Sequence, residues 1–167
     1  MRVMFLYPNN EGYFRCPIGL TLIMTMVQDD GHSVELFDTT FKYVKDNVDS
    51  KVREKYGFAK VVPTEHLFEK WSEKQIESGW IKAIQDFSPD LIGVSVVEDQ
   101  YELCNTLLTS AKKHFNIPVV IGGTTPTVSP QIIIENPNID YLIQGEGEVA
   151  FKELINALEN KGPLNEV

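Results

Sequence analysis

A chain of 167 residues suits one domain with its own core, and 43% hydrophobic with 23% charged residues is ordinary for a globular protein. Its net charge of −9 argues against a nucleic-acid partner, because phosphate-backbone binding draws on Lys and Arg. No apolar run approaches the roughly 20 residues that span a bilayer, and two cysteines, Cys16 and Cys104, are too few for a disulfide framework or an iron–sulfur cluster.

Residues 2–7 are an apolar run that stops at Pro8-Asn9-Asn10, too soon for a signal peptide, so they read as the buried first strand of a cytoplasmic protein. After a loop with Gly12, Pro17 and Gly19, Leu20, Ile23, Met24 and Val27 share a helical face, closed by Asp30-Gly31. Val34, Leu36 and Phe37 give a second strand, ending at Asp38-Thr39-Thr40. Residues 41–64 are polar and without a period. A helix follows, carrying Leu67, Trp71, Ile76, Trp80, Ile84 and Phe87, with both tryptophans read as core anchors.

Residues 90–97 form the third strand, Leu103, Leu107, Ala111 and Phe115 the next helix, and residues 118–121 the fourth strand, ended by Gly122-Gly123. Ser129-Pro130 opens a short helix as N-cap and first residue. Residues 140–143 are a fifth strand, and Gly145-Glu146-Gly147-Glu148 leads into a helix with Ala150, Phe151, Leu154, Ile155 and Leu158. Near-continuous apolar strands separated by helices predict an α/β fold. Its parallel sheet is doubly wound and flavodoxin-like (Rossmann-like), five-stranded in the order 2-1-3-4-5.

In such sheets a ligand sits outside the carboxyl ends of the strands, near the switch point between strands one and three. The loops there are residues 8–17, 95–100, 122–125 and 145–148. Two glycine pairs and Ser95 on one rim describe a long slot for an extended ligand. The rim lacks a G-x-G-x-x-G after strand one and a G-x-x-x-x-G-K-[ST], excluding a dinucleotide fingerprint and a P-loop. Ser95 has no histidine partner by spacing. His32, His66 and His114 read as solvated side chains rather than metal ligands.

Segments 2–8, 17–20, 89–95, 118–124, 140–141 and 145–151, in this order and spacing, resemble the N-terminal cobalamin-binding domain of class B radical SAM enzymes. The resemblance covers nearly all of residues 1–160, apart from a partly helical insertion at about 41–88. It implies cobalamin as the cofactor, with Ser95 and Val97 (a variant S-x-L) bordering its dimethylbenzimidazole tail and Gly122-Gly123 lining the tail's channel. Aligning Gly19 with the glycine of the D-x-H-x-x-G motif of methionine-synthase-like domains puts Cys16 where the histidine stands and Phe14 where the aspartate stands. The cofactor is therefore expected base-off and His-off, its lower cobalt face towards residues 13–18, with Tyr13, Arg15 and Cys16 all open as neighbours.

The implied cofactor-binding set is Asn9, Tyr13, Arg15, Cys16, Ile18 and Gly19, then Ser95, Val97, Glu98, Gln100 and Tyr101. Gly122, Gly123, Thr124, Thr125, Gly145, Glu146 and Gly147 complete it; no catalytic or metal-ligating residue is expected. The resemblance further implies that residues 161–167 open a linker to a radical SAM barrel. That barrel, in the same chain or a partner subunit, would hold a [4Fe–4S] cluster and S-adenosylmethionine for methyl transfer or cyclisation. The module alone is not expected to catalyse. A stand-alone corrinoid carrier or sensor, and a flavodoxin-like scaffold without cofactor, are the rival readings.

Overall fold

The computed structural model describes residues 1–10, 16–42, 48–58, 60 and 70–160. Tyr13, Arg15, Leu67, His66 and residues 161–167, all named above, lie outside the described residues.

Strand β1 (Arg2–Tyr7) leads through α1 (Ile18–Asp29) to β2 (Ser33–Asp38). Helices α2 (Val48–Lys55) and α3 (Glu73–Phe87) precede β3 (Leu91–Ser95). A single 3-10 turn (Glu98–Gln100) then runs into α4 (Tyr101–Lys112). The chain finishes with β4 (Val119–Gly122), α5 (Thr124–Val128), α6 (Pro130–Ile134), β5 (Tyr141–Leu142) and α7 (Glu148–Asn160). The strands form one sheet in the order β2-β1-β3-β4-β5, every neighbouring pair parallel, as the alternation of apolar strands and helices predicted.

Local chemistry sets the boundaries. Gly31 stops α1 with φ of 89°, a conformation without steric cost for a residue lacking Cβ. At the start of α3, Ser72 and Gln75 form a reciprocal capping box, so the helix begins at Glu73 and Trp71 lies before it rather than on it. Ser129 makes no side-chain capping bond, although Pro130 does occupy the first turn of α6. The fifth strand is shorter than the predicted 140–143. Beyond Leu142 one more bond runs from Ile143 N–H to Ile121 O (2.9 Å), and Gly145 then turns the chain at φ of 84°.

Side-chain alternation along the strands builds two cores. On one face Met4, Leu6, Ile92, Val94, Val119 and Ile121 pack beneath α3, α4 and α6, around the fully buried Trp80. Trp80 donates its indole N–H to Leu107 O (3.1 Å), which satisfies the one polar atom in a ring otherwise surrounded by carbon. Trp71 is only half-buried; Lys42 Nζ sits 4.7 Å from its ring centroid and 4.6 Å from that of Phe37. On the other face Val3, Phe5, Tyr7, Leu91 and Val120 pack against Leu20 and Val27 of α1 and Phe151, Leu154 and Ile155 of α7. His32 differs from its solvated reading: its side chain is 12% exposed and Nδ1 lies 3.6 Å from Glu159 Oε1.

Candidate functional site

The α1/α7 face does not close at the carboxyl end of the sheet. A cavity of about 300 Å³ enters there between the strand ends and the first turns of both helices. The register orders its walls by depth. Phe5, Gly93 and Val120 stand side by side on β1, β3 and β4, and Ser95 with Gly122 form the next row on this face, two residues nearer the rim. One helical turn carries Gly19 to Ile23 on α1 and Glu148 to Phe151 on α7. The inner end is therefore Phe5, Val120 and Phe151, while the tip of Ile23 reaches the Gly147 turn nearer the mouth. Around the mouth stand Tyr7, Cys16, Gly19, Ser95, Gly122 and the 145–148 turn.

Gly93 makes the inner wall possible. The Phe5 and Phe151 rings lie over it with centroids 5.3 Å apart, and a Cβ there would come 2.7 Å from Phe5 Cε1. The rim glycines fall into two kinds. Gly123, at φ of 114°, would place a Cβ 2.5 Å from Val96 O, so the fold itself demands glycine. Gly122 has an ordinary backbone, and a Cβ would meet nothing closer than Ile143 O at 3.8 Å; a Cβ on Gly19 would meet nothing within 4 Å. Nothing in the fold requires glycine at these two positions, and both border the cavity.

The turn between β5 and α7 is tied down from α5. Thr127 Oγ1 accepts from Gly145 N–H (3.0 Å) and donates to Gly123 O (2.7 Å), joining the two glycine turns through one hydroxyl. Charge at the mouth is acidic: Glu146 and Glu148 line it, and no Lys, Arg or His does so among the described residues.

Among the expected residues, Cys16, Gly19, Ser95, Val97, Gly122, Gly123, Gly145, Glu146 and Gly147 line the cavity. The structure places the other described ones elsewhere. Ile18 is 74% exposed beside the mouth, and Glu98 and Thr124 are exposed. Tyr101 Oη accepts from Asn136 Nδ2 (3.0 Å), and Thr125 Oγ1 is buried without a partner among the described residues. Asn9 and Gln100 are buried and bonded to each other: Gln100 Nε2 donates to Asn9 Oδ1 (3.1 Å), and Asn9 Nδ2 donates to Thr40 Oγ1 (3.0 Å). Sequence reasoning missed Phe5, Tyr7, Leu20, Ile23, Val120, Ile143, Glu148 and Phe151 as cavity residues. Their signal was the strand alternation and helix spacing already used to assign the core.

The two thiols differ. Cys16 is exposed at the mouth, whereas Cys104 is buried on the core side of α4 and its pKa is pushed up to about 12 by that burial. Among the described residues no group of three or more His, Cys, Asp or Glu could hold a metal ion, and no helix is long and apolar enough to cross a membrane.

Fold and cavity together define a doubly wound, flavodoxin-like module that takes a ligand at the carboxyl edge of its sheet. The B12 binding domain family matches residues 71–155, more than half of the sequence. The chain belongs to that family, and cobalamin is the family's cofactor. An uncharacterized methyltransferase, PH0819, of Pyrococcus horikoshii is 38% identical over 79 residues, 46% of this chain and 17% of that protein. The cytidylyl-2-hydroxyethylphosphonate methyltransferase of Streptomyces wedmorensis is 26% identical over 82% of this chain and 24% of its own length. In fold, the chain is similar to the radical S-adenosylmethionine methyltransferase TsrM from Kitasatospora setae, solved with cobalamin and a [4Fe-4S] cluster. The TM-score is 0.69 at 22% identity, over 98% of this chain and 26% of that one. The chain thus spans about a quarter or less of the relatives it matches.

The residues present fit the family's cofactor. A cleft of this volume lies at the lower end of the range for small-molecule sites, about 300–1,000 Å³. Its wall is bare of Cβ at Gly19 and Gly122, although the fold has room for one at each.

Proposed function

We propose that this chain is the cobalamin-holding module of a radical SAM methyltransferase or cyclase, with the cofactor base-off and its nucleotide tail in the α1/α7 cavity. The observation that carries the reading is the cradle at Gly19 and Gly122, two glycines that line the cavity where the fold leaves room for a Cβ. Cobalamin supplies a cobalt centre that carries a methyl group or an electron. The chain's own part is to bind and orient. Ser95 and the backbone of the 122–123 and 145–147 turns border the tail, Val97 and Ile143 shield it from water, and Cys16 borders the mouth on the α1 side.

Histidine is absent from the mouth among the described residues, in keeping with a cofactor that takes no imidazole from the protein. The radical SAM barrel, its iron–sulfur cluster and S-adenosylmethionine belong to a further domain or a partner subunit, reached through residues 161–167. Residues 1–160 form the module. Free cysteines at both positions suit a reducing cytoplasm.

The test is a titration of the purified chain with hydroxocobalamin, followed in the visible spectrum. Saturable binding with a base-off spectrum supports the reading; an unchanged spectrum and an unchanged melting temperature refute it and leave the scaffold alternative.

A further inference from the structure

The cavity's two ends differ in chemistry, and that difference selects among corrinoids. Its inner end is Phe5, Val120 and Phe151, three hydrocarbon side chains around the backbone of Gly93. The strand amides beneath are engaged in the ladder, since β1, β3 and β4 pair across these positions. No side-chain donor or acceptor stands at that depth. Polar groups begin one row out, with Ser95, and one helical turn out, with Glu148. Whatever reaches the inner end must leave its own polar edge unpaired or have none there.

Corrinoids differ in the base that ends the nucleotide tail. Benzimidazoles and phenols present a hydrocarbon edge away from the sugar, whereas a purine presents ring nitrogens, with an exocyclic amine on adenine. Resting on the cobalamin reading above, we infer that the cavity is specific for corrinoids with a benzimidazole or phenolic tail and discriminates against purinyl corrinoids. A buried donor or acceptor left without a partner weakens binding by about tenfold or more. Adenine brings several such groups to a wall that answers none of them. The carboxylates at the mouth do not reverse this preference, because they stand away from the inner end.

The experiment is a comparison of dissociation constants on the unaltered chain, by visible titration, for hydroxocobalamin, its adeninyl counterpart and tail-less cobinamide. Cobalamin is expected to bind at least about tenfold more tightly than the adeninyl form. Equal affinity for these two, with cobinamide far weaker, overturns the inference while leaving the cobalamin reading intact. Equal affinity for all three overturns it too, because the tail then contributes nothing. Failure of every corrinoid to bind refutes the underlying reading instead. The near-isosteric substitution Val120→Thr, which sets a hydroxyl at the inner end, is expected to narrow the preference. An unchanged ratio in a variant that still melts cooperatively counts against the assigned depth of Val120, and with it against the inference.

Discussion

The two kinds of rim glycine predict opposite outcomes for the same substitution one residue apart. In Gly122→Ala the new Cβ finds Ile143 O at 3.8 Å and Ile143 Cβ at 3.9 Å, ordinary contacts, on a backbone outside the left-handed region. The added side chain also lowers the entropy of the unfolded chain, so stability stays within about 1 kcal/mol of the parent or rises. In Gly123→Ala the Cβ arrives 2.5 Å from Val96 O and 2.9 Å from Val96 N, at φ of 114°. Val96 cannot retreat, because its N–H is bonded to Gly122 O at 3.0 Å. Backbone strain and overpacking each cost about 1–3 kcal/mol. At about 2–4 °C per kcal/mol for a chain of this size, the melting temperature falls by roughly 4–24 °C. Binding reverses the order. Gly122→Ala intrudes on the tail and weakens cobalamin by about tenfold or more, as overpacking of a filled site does. Circular-dichroism melts and visible titrations of both variants check the pair. A Gly122→Ala protein that binds as the parent does, or melts as low as Gly123→Ala, refutes the assignment of Gly122 to the ligand.

Gly93→Ala drives a Cβ to 2.7 Å from Phe5 Cε1 beneath the Phe5–Phe151 pair, and is expected to destabilise by about 1–3 kcal/mol in denaturant titration. Gln100→Ala removes the amide that donates to Asn9 Oδ1 inside the fold, a loss of about 1–3 kcal/mol readable in the same assay. Cys16 is expected to react with a thiol reagent in the native protein and Cys104 only after unfolding. Cys104 stays protonated in the fold up to about pH 12, while in the unfolded chain it ionises near its ordinary value of 9.0. Its contribution is therefore whole below pH 9 and declines above it, by up to about 1.4 kcal/mol per pH unit. Cys104→Ala is expected to remove that part of the alkaline loss in melts taken from pH 8 to 11.

Strand order and the ligand edge were legible because they follow from composition run by run. Each strand is an apolar segment bounded by breakers, and right-handed crossovers leave few ways to join them. Helix α5 was not legible: Thr-Thr-Pro-Thr-Val has no helical period and two kinds of poor helix former. It exists because Gly123 reverses the chain and Thr127 Oγ1 bonds back to Gly123 O. The rim of the site was readable from topology, since any residue just after a parallel strand stands there. Its interior was not, because Phe5, Val120 and Phe151 become one wall only once the register sets them around Gly93. Gly93 held the clue, as a lone glycine within an apolar strand marks close approach. Burial of Asn9 and Gln100 was beyond sequence reasoning, for their partnership joins positions 91 residues apart.

That partnership holds the strand-end loops beside the cavity in place. Asn9 follows β1 and Gln100 follows β3, the two strands that flank the switch point. Their side-chain bond spans the crevice where doubly wound sheets ordinarily admit a ligand, and Thr40 extends it to the end of β2. Thr39 adds a further tie, donating its hydroxyl to Asn9 O at 2.8 Å. Three strand ends are thereby fastened together by polar groups. The cavity spans the ends of β1, β3 and β4 and is roomiest where Ser95 and Gly122 are neighbours and the side chains are small. The buried amides thus shape the site without bordering it: they fix the strand-end loops and leave the glycine-lined gap between α1 and α7 as the way in.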